Sequence, residues 1–448
     1  MPVVLATDVL VWLLVAAGTG YALYCRARPH LAAPWARVFR SGAAMASLVV
    51  LGAYLIVGLA DSLHYRPALE GAAGEPRAYS SEVLSLLDRA LAPLRLHNEK
   101  TYSAPLAVRS FAKEQVELPG GRIVRDYPRL RFGGAQLASE ADYADDVTRR
   151  TLAGFGASFA LCFLVVFLAR KLKARRPDVP WHAAGGALCA VLLLAGPAAA
   201  LATGYHVLGT DKVGQDVLYL ALKSVRTSLV IGTVTTLVTL PLAVALGTMA
   251  GYFRGWVDDL IQYLYTTLNS IPGVLLIAAA VLMMQVAIDQ HPAAFPTAVQ
   301  RADLRLLFLC VILGLTSWTG LARLLRGETF KLSELEYVQA ARAFGVRDAR
   351  ILARHIVPNV AHIVIISTVM DFSGLVLAEA VLSYVGVGVD PSTNSFGTMI
   401  NAARLEMSRD PPVWWTLATA FGFMFALVLA ANLFADAVRD GFDPRVRV

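Results

Sequence analysis

The sequence predicts an all-α polytopic membrane protein of about nine transmembrane helices, with a small α+β insertion outside the membrane. Three observations predict it. Of 448 residues, 56% are hydrophobic and only 16% charged, with a mean hydropathy of +0.56, whereas a soluble domain carries about 25% charged residues. The apolar residues fall in runs near the ~20 that a helix needs to cross a bilayer. The basic residues gather beside the ends of those runs, as in cytoplasmic loops of membrane proteins.

Nine spans are predicted near 6–24, 42–60, 151–169, 185–203, 228–250, 262–285, 303–325, 360–386 and 414–437. Met1 to Asp8 holds no Lys or Arg, and no small-residue cleavage site follows, so the first span reads as retained rather than as a signal peptide. "CRARPHLAAPWARVFR" (Cys25–Arg40) has four arginines and no acid, and "RKLKARRPD" (Arg170–Asp178) has five bases and one acid. These loops, Arg326–Asn359 and the tail "VRDGFDPRVRV" all fall inside only if the N-terminus is outside, the C-terminus is cytoplasmic and the spans number nine. The net charge of +7 is thereby accounted for without nucleic acid. The four cysteines lie in or beside spans and form no CxxC pair, which argues against a disulfide framework or a metal site.

Asp61–Arg150 is the one long hydrophilic region, with thirteen acidic and thirteen basic residues. It falls outside. "VELP" and "RIVRDY" read as strands joined by a turn at "PGGR" (Pro119–Arg122). "SSEVLSLLDRALAPL" (Ser80–Leu94) reads as a helix capped by Ser80 or Ser81. The region is expected to serve as a docking platform for a partner, with Arg122, Arg125, Arg129 and Arg131 at its rim, or as a cover over the outer mouth.

"EYVQAARAFGVRDARILARHIVPN" (Glu336–Asn359) interrupts the spans. "SELE" (Ser333–Glu336) has the pattern of a capping box. Tyr337, Ala341 and Phe344 then share one helical face, and Gly345 suits a left-handed helix end. A second short helix begins near Asp348, and Pro358 marks the next span. The first helix is too short to cross a membrane, and its apolar face needs either a groove on another protein or the headgroup layer.

The spacing Gln339-Ala340-Ala341, Gly345, Pro358 resembles the cytoplasmic coupling loop of ABC importer permeases, whose pattern begins Glu-Ala-Ala. "GTDKVGQDVLYLALKSVRTSLVIG" (Gly209–Gly232) resembles "GTDxxGRDVLSRLIYGxRxSLxxG" of dipeptide and oligopeptide permeases, C-type subunit, with Gln215 in place of arginine. "AGYFRGWVDD" (Ala250–Asp259), "NSIPGVLL" (Asn269–Leu276), "LAEAVLSYVGVGVDPSTNSFGTMI" (Leu377–Ile400) and "LFADAVRDGFDPRVR" (Leu433–Arg447) follow in the expected order. The resemblance implies an ABC-importer permease core over 208–448 with its coupling loop at 333–358. That leaves 1–60 as two extra transmembrane helices, 61–150 as the insertion, and 151–207 as two further transmembrane helices around a basic cytoplasmic loop.

The resemblance also implies partners: a second homologous permease subunit, two ATPase subunits, an extracytoplasmic substrate-binding protein, and membrane lipid. ATP and Mg²⁺ would bind in the ATPases, with no cofactor, metal or catalytic residue in this chain. The sequence agrees, with no GxxxxGK[ST], HExxH or GxSxG motif. Glu336, Tyr337, Gln339, Ala340, Ala341, Phe344, Gly345 and Pro358 are the expected ATPase-coupling residues. Ser367, Asp371 and Gly374 fall within one narrow helical stripe, and polar groups inside spans usually face a cavity or a partner. They are expected to line the translocation path or to meet the second permease. Thr266 stands where the family commonly has aspartate. Glu379 and Ser383 match the family's "EAxLSFxGxG" and are expected near the outer gate, and Asp211 and Asp216 are expected to cap helices at the outer surface. A stand-alone transporter or channel, and a membrane enzyme with a catalytic outer domain, are the alternative classes.

Overall fold

The computed structural model describes residues 1–69, 79–118, 122–290 and 297–442. Along the chain these form β1 (Pro2–Val3), α1 (Ala6–Arg26), α2 (Pro29–Val38), α3 (Gly42–Asp61), β2 (His64–Tyr65), β3 (Leu84–Ser85), α4 (Leu86–Ala90), α5 (Ala92–Leu96), β4 (Glu114–Leu118) and β5 (Arg122–Asp126). Helices α6 (Tyr143–Arg175), α7 (Trp181–Ala202), α8 (Val217–Phe253), α9 (Gly255–Ser270), α10 (Gly273–Gln290), α11 (Ala298–Ser333), α12 (Glu336–Ala343) and α13 (Asp348–Ile351) follow. The described part ends with α14 (Val357–Val385), α15 (Phe396–Glu406) and α16 (Trp415–Phe442).

Among the described residues, α1, α3, α6, α7, α8, α11, the helix running from Asp348 to Val385, and α16 are long and apolar enough to cross a membrane. The predicted span 262–285 is not one helix: α9 and α10 meet at 88°. The cause is Pro272, whose ring disfavours helical geometry in the residue before it. Ile271 is accordingly extended, at φ −91° and ψ 130°. Counting the bent pair as one span gives nine. Helices α6 and α8 overrun their predicted spans at both ends, because hydropathy marks only the lipid-facing part of a longer helix.

The chain divides into two compact units. The first holds Met1–Val4, Phe39–Ser228 and Thr393–Leu433. In it α7 packs on α3 and α6. Ser158 donates to the Leu192 carbonyl across the α6–α7 contact (2.8 Å), where Cys162 and Cys189 also face each other. The insertion is α+β: its strands β2 and β3 pair antiparallel, β1 from the start of the chain adds to β2, and β4 pairs with β5. The turn residues 119–121 lie outside the described residues. Leu137 of the insertion is buried against Leu201 and Tyr205, at and just beyond the end of α7.

The helix predicted from Ser80 instead starts at Leu86. Ser85, not Ser80 or Ser81, is the cap, in a capping box with Asp88, and Pro93 opens the second short helix α5. Arg129 is exposed, with its guanidinium donating to the Gly134 and Leu137 carbonyls (2.9 and 2.6 Å).

The second unit holds Leu5–Val38, Leu229–Ser392 and the described residues from Phe434. Helix α11 is its centre, and α1, α9, α10 and α14 pack on it. Ala243, Trp318, Leu321, Ala322, Leu325 and Val360 form a buried cluster. Gly247 and Gly251 of α8 let the backbones close, because a Cβ there would lie 2.6 Å from the Ala322 carbonyl and 2.5 Å from that of Arg326. Thr7 at the start of α1 donates its hydroxyl and its amide to Asp303 near the start of α11, so the two helices begin side by side. Trp35 of α2 meets Phe442 at the end of α16, edge to face at 5.2 Å.

Candidate coupling surface and outer capping site

Helix α12 closes as a complete Schellman motif. Gly345 has φ +71°, the Val346 amide donates to the Ala341 carbonyl (3.1 Å), and the Gly345 amide donates to the Arg342 carbonyl (3.0 Å). Its start differs from the expected capping box. Ser333 is the last residue of α11, Leu335 is the N-cap, and no side chain caps it. The Ser333 hydroxyl donates to the Phe330 carbonyl (2.8 Å) and accepts from Arg254 (3.0 Å), so it is engaged in ending α11.

Helix α12 turns one side inward and leaves Tyr337 and Phe344 open. The residue turned inward is Val338, 1% exposed, packed with Tyr252, Ile351 and Ile356 and flanked by Ala341 and Val346. Tyr337 is 44% and Phe344 87% exposed, and Glu336, Gln339 and Ala340 are not buried either. Gln339 donates its amide to the Glu334 carbonyl and carboxylate (3.1 and 3.2 Å). A glutamate here has no donor and would oppose Glu334, so the family's acid does not suit this position.

The second coupling helix is not separate. Helix α13 runs through one π turn, Leu352–Ile356, into α14, forming one helix from Asp348 to Val385. Pro358 therefore lies within a continuous helix rather than after a break. Its missing N–H and its ring remove the bond to Arg354, and the wider π turn absorbs the disruption, with the Val357 amide reaching the Leu352 carbonyl.

Several groups absent from the sequence expectation fix this element. The Tyr252 hydroxyl donates to Asp348 (2.6 Å), and the Arg342 guanidinium lies over the Tyr252 ring at 4.7 Å. Arg254 sits at φ +55°, a conformation rare outside glycine. Its guanidinium bonds Ser333 and Glu334 and stacks on Phe330 at 4.1 Å. Arg326 grips Asp258 through two bonds of 2.5 Å. The "YFRG" run was the available signal, though nothing in it names the partners.

On α14, Asp371 and Gly374 are exposed and Ser367 half-buried, so the predicted stripe is an open face of the helix. Glu379 and Ser383 are buried, and the Ser383 hydroxyl donates to Glu379 at 2.6 Å.

Asp216 caps α8, accepting from the Leu218 and Tyr219 amides (2.9 and 3.2 Å). Asp211 does not cap a helix; it closes a tight turn by accepting from the Val213 and Gln215 amides (both 2.9 Å). Sequence reasoning missed His206 and Glu99. Buried His206 donates Nδ1–H to Asp216 at 2.9 Å, and its Nε2 lies 3.4 Å from Glu99. Glu99 accepts three backbone amides, from Arg131, Phe132 and Gly133 (2.9, 2.8 and 3.0 Å).

Burial opposes the charged imidazolium, but Asp216 and Glu99 outweigh it and raise the His206 pKa from 6.5 to about 9. Burial would likewise raise the Glu99 carboxyl, yet His206 and the three amides bring it from 4.5 to about 2. The histidine's stabilisation is complete below 6.5 and disappears as pH rises through about 9. That of Glu99 is complete above 4.5 and disappears only as pH falls through about 2. Hydrogen-exchange protection of the Leu106 and Gly134 amides, corrected for intrinsic rate, is expected to hold near neutrality and drop above about pH 9. His206→Gln should abolish that alkaline step; an unchanged step in the variant would exclude His206 as its source.

Residues 243–448 match the family described as the binding-protein-dependent transport system inner membrane component. The chain is 31% identical over 242 residues to the oligopeptide transport system permease protein OppC of Mycobacterium bovis, covering 54% of this chain and 77% of the relative. It is 32% identical over 242 residues to the glutathione transport system permease protein GsiD of Pectobacterium atrosepticum, covering 54% and 73%. It is 28% identical over 240 residues to the dipeptide transport system permease protein DppC of Lactococcus lactis, covering 54% and 64%. The part of the chain that holds α11–α14 therefore belongs to this family, and the chain is a multi-pass inner-membrane permease component of a binding-protein-dependent ABC importer.

Proposed function

We propose that the chain moves peptides inward across the cytoplasmic membrane, together with a second permease subunit, two ATPase subunits and an extracytoplasmic substrate-binding protein. ATP and Mg²⁺ act in the ATPases, and α12 with the Arg347–Ile356 turn docks in a groove on one of them. The observation that carries this is the contrast within one short element. Phe344 is 87% exposed, while everything behind it is fixed by Val338, Tyr252 and the helix that continues into α14. A push on Phe344 is thus transmitted to the face bearing Ser367, Asp371 and Gly374, which lines the path or meets the second permease. The peptide assignment rests on the names of the relatives, which carry oligopeptides, glutathione and dipeptides. Co-expression with candidate ATPases and a second permease, reconstitution, and ATP-driven uptake of labelled peptides test it. A chain that transports alone, or a complex indifferent to ATP, would refute it.

The proposed topology has the N-terminus outside and the C-terminus inside. It is supported by the start of α1, which is bonded to the start of α11, the end opposite to the one that leads into α12. In a cysteine-free background, a cysteine at Ala6 is expected to react with an impermeant thiol reagent on intact cells, and one at Ala174 only after the membrane is opened. Both positions are exposed; reversed labelling would overturn the orientation.

A further inference from the structure

Within the first unit, the insertion is bonded to the 203–216 segment. The Thr210 amide donates to the Ser103 carbonyl (3.0 Å) and the Glu99 amide to the Gly214 carbonyl (2.9 Å). The Ser103 amide donates to the Thr210 hydroxyl (2.7 Å), which itself donates to the Thr101 carbonyl (2.9 Å). The backbones are so close that a Cβ at Gly214 would lie 1.9 Å from the Glu99 carbonyl oxygen. Further along, the Leu106 and Gly134 amides donate to the His206 and Gly204 carbonyls (2.9 and 2.8 Å).

A second set of contacts holds the first turns of α8. The Tyr219 hydroxyl donates to Asp88 (2.7 Å). The Lys223 ammonium reaches Asp61 (2.6 Å) and Asp88 (3.2 Å), and the Ser85 hydroxyl donates to Asp61 (2.6 Å). Asp61 and Asp88 are 2% and 4% exposed. In the quoted permease pattern, positions 219 and 223 are serine and tyrosine. Here both differ, and both side chains reach the insertion.

We infer that the insertion is a permanent outer extension of α8, which rides with the 203–216 loop through the transport cycle and does not lift to admit substrate. The inference rests on the permease reading for the cycle itself. A lid would have to break six backbone-to-backbone or backbone-to-hydroxyl bonds each turnover. It would also have to rehydrate Asp61, Asp88 and Lys223, charges that are costly to separate once desolvated.

The test joins insertion to core covalently. The Ser103 and Thr210 hydroxyl oxygens lie 3.1 Å apart. Ser103→Cys with Thr210→Cys, in a chain whose native cysteines are alanine, should form a disulfide on oxidation without loss of ATP-driven uptake in the reconstituted complex. Oxidation that abolishes uptake, with recovery on reduction, would overturn the proposal. Hydrogen exchange on the unaltered chain gives a second measurement that needs no transport. The Glu99, Leu106, Gly134 and Thr210 amides should exchange with the slow class, and in the complex equally slowly with and without nucleotide. Exchange at the rate of exposed loops, or loss of protection with nucleotide, would contradict it. Absence of uptake in the reduced complex would count against the permease reading alone.

Discussion

Gly345→Val is expected to reduce ATP-driven uptake to background while the chain still inserts and accumulates. Nothing lies within 4 Å of a Cβ built at Gly345, so the effect is not steric crowding. It is conformational: φ is +71°, a region costing about 1–3 kcal/mol for an ordinary residue and least accessible to a β-branched one. Relaxing that strain opens the Val346–Ala341 and Gly345–Arg342 bonds, which redirects Phe344 and frees Val346 from the cluster around Tyr252 and Val338. Gly345→Asn should retain much of the activity, because asparagine adopts left-handed geometry at helix ends. Parallel measurement of uptake, membrane insertion and stimulated ATPase activity separates the cases. Equal activity of the Val and Asn variants would show that the left-handed turn is not needed.

Phe344→Asp is expected to leave folding of this chain intact and to weaken its association with the ATPase. At 87% exposure the ring contributes little to the chain's own core. A large exposed aromatic at the tip of a rigid element is the kind of side chain that anchors an interface, where truncation costs about 2 kcal/mol or more, about 30-fold in affinity. The carboxylate adds the cost of burying an unpaired charge. Affinity of the solubilised permease for the ATPase, measured beside thermal stability, distinguishes lost docking from lost folding. Unchanged affinity would remove Phe344 from the interface.

The fold was legible where the chain obeys the bilayer, because runs near 20 apolar residues and basic flanks report directly on lipid. Lengths were not, since hydropathy does not register the polar ends of α6 or α8. The bend at Pro272 was invisible within the predicted span 262–285, although the proline that causes it was in view. At the coupling loop Gly345 was readable, because only its backbone geometry mattered. Periodicity groups Tyr337, Ala341 and Phe344 on one face, but it cannot say which residue of α12 meets Tyr252. Val338 takes that place. His206 sits in no recognisable motif, and it meets Glu99 and Asp216 only in the folded chain. Buried charge constellations arise from tertiary packing, and no spacing rule announces them.

In the proposed cycle α12 delivers the ATPase motion to α14. A photo-reactive benzophenone amino acid in place of Phe344, in the assembled complex, tests it most directly. The account predicts an adduct with the ATPase subunit in the resting and nucleotide-bound states. Adducts with lipid alone, from a complex that still transports, would contradict it.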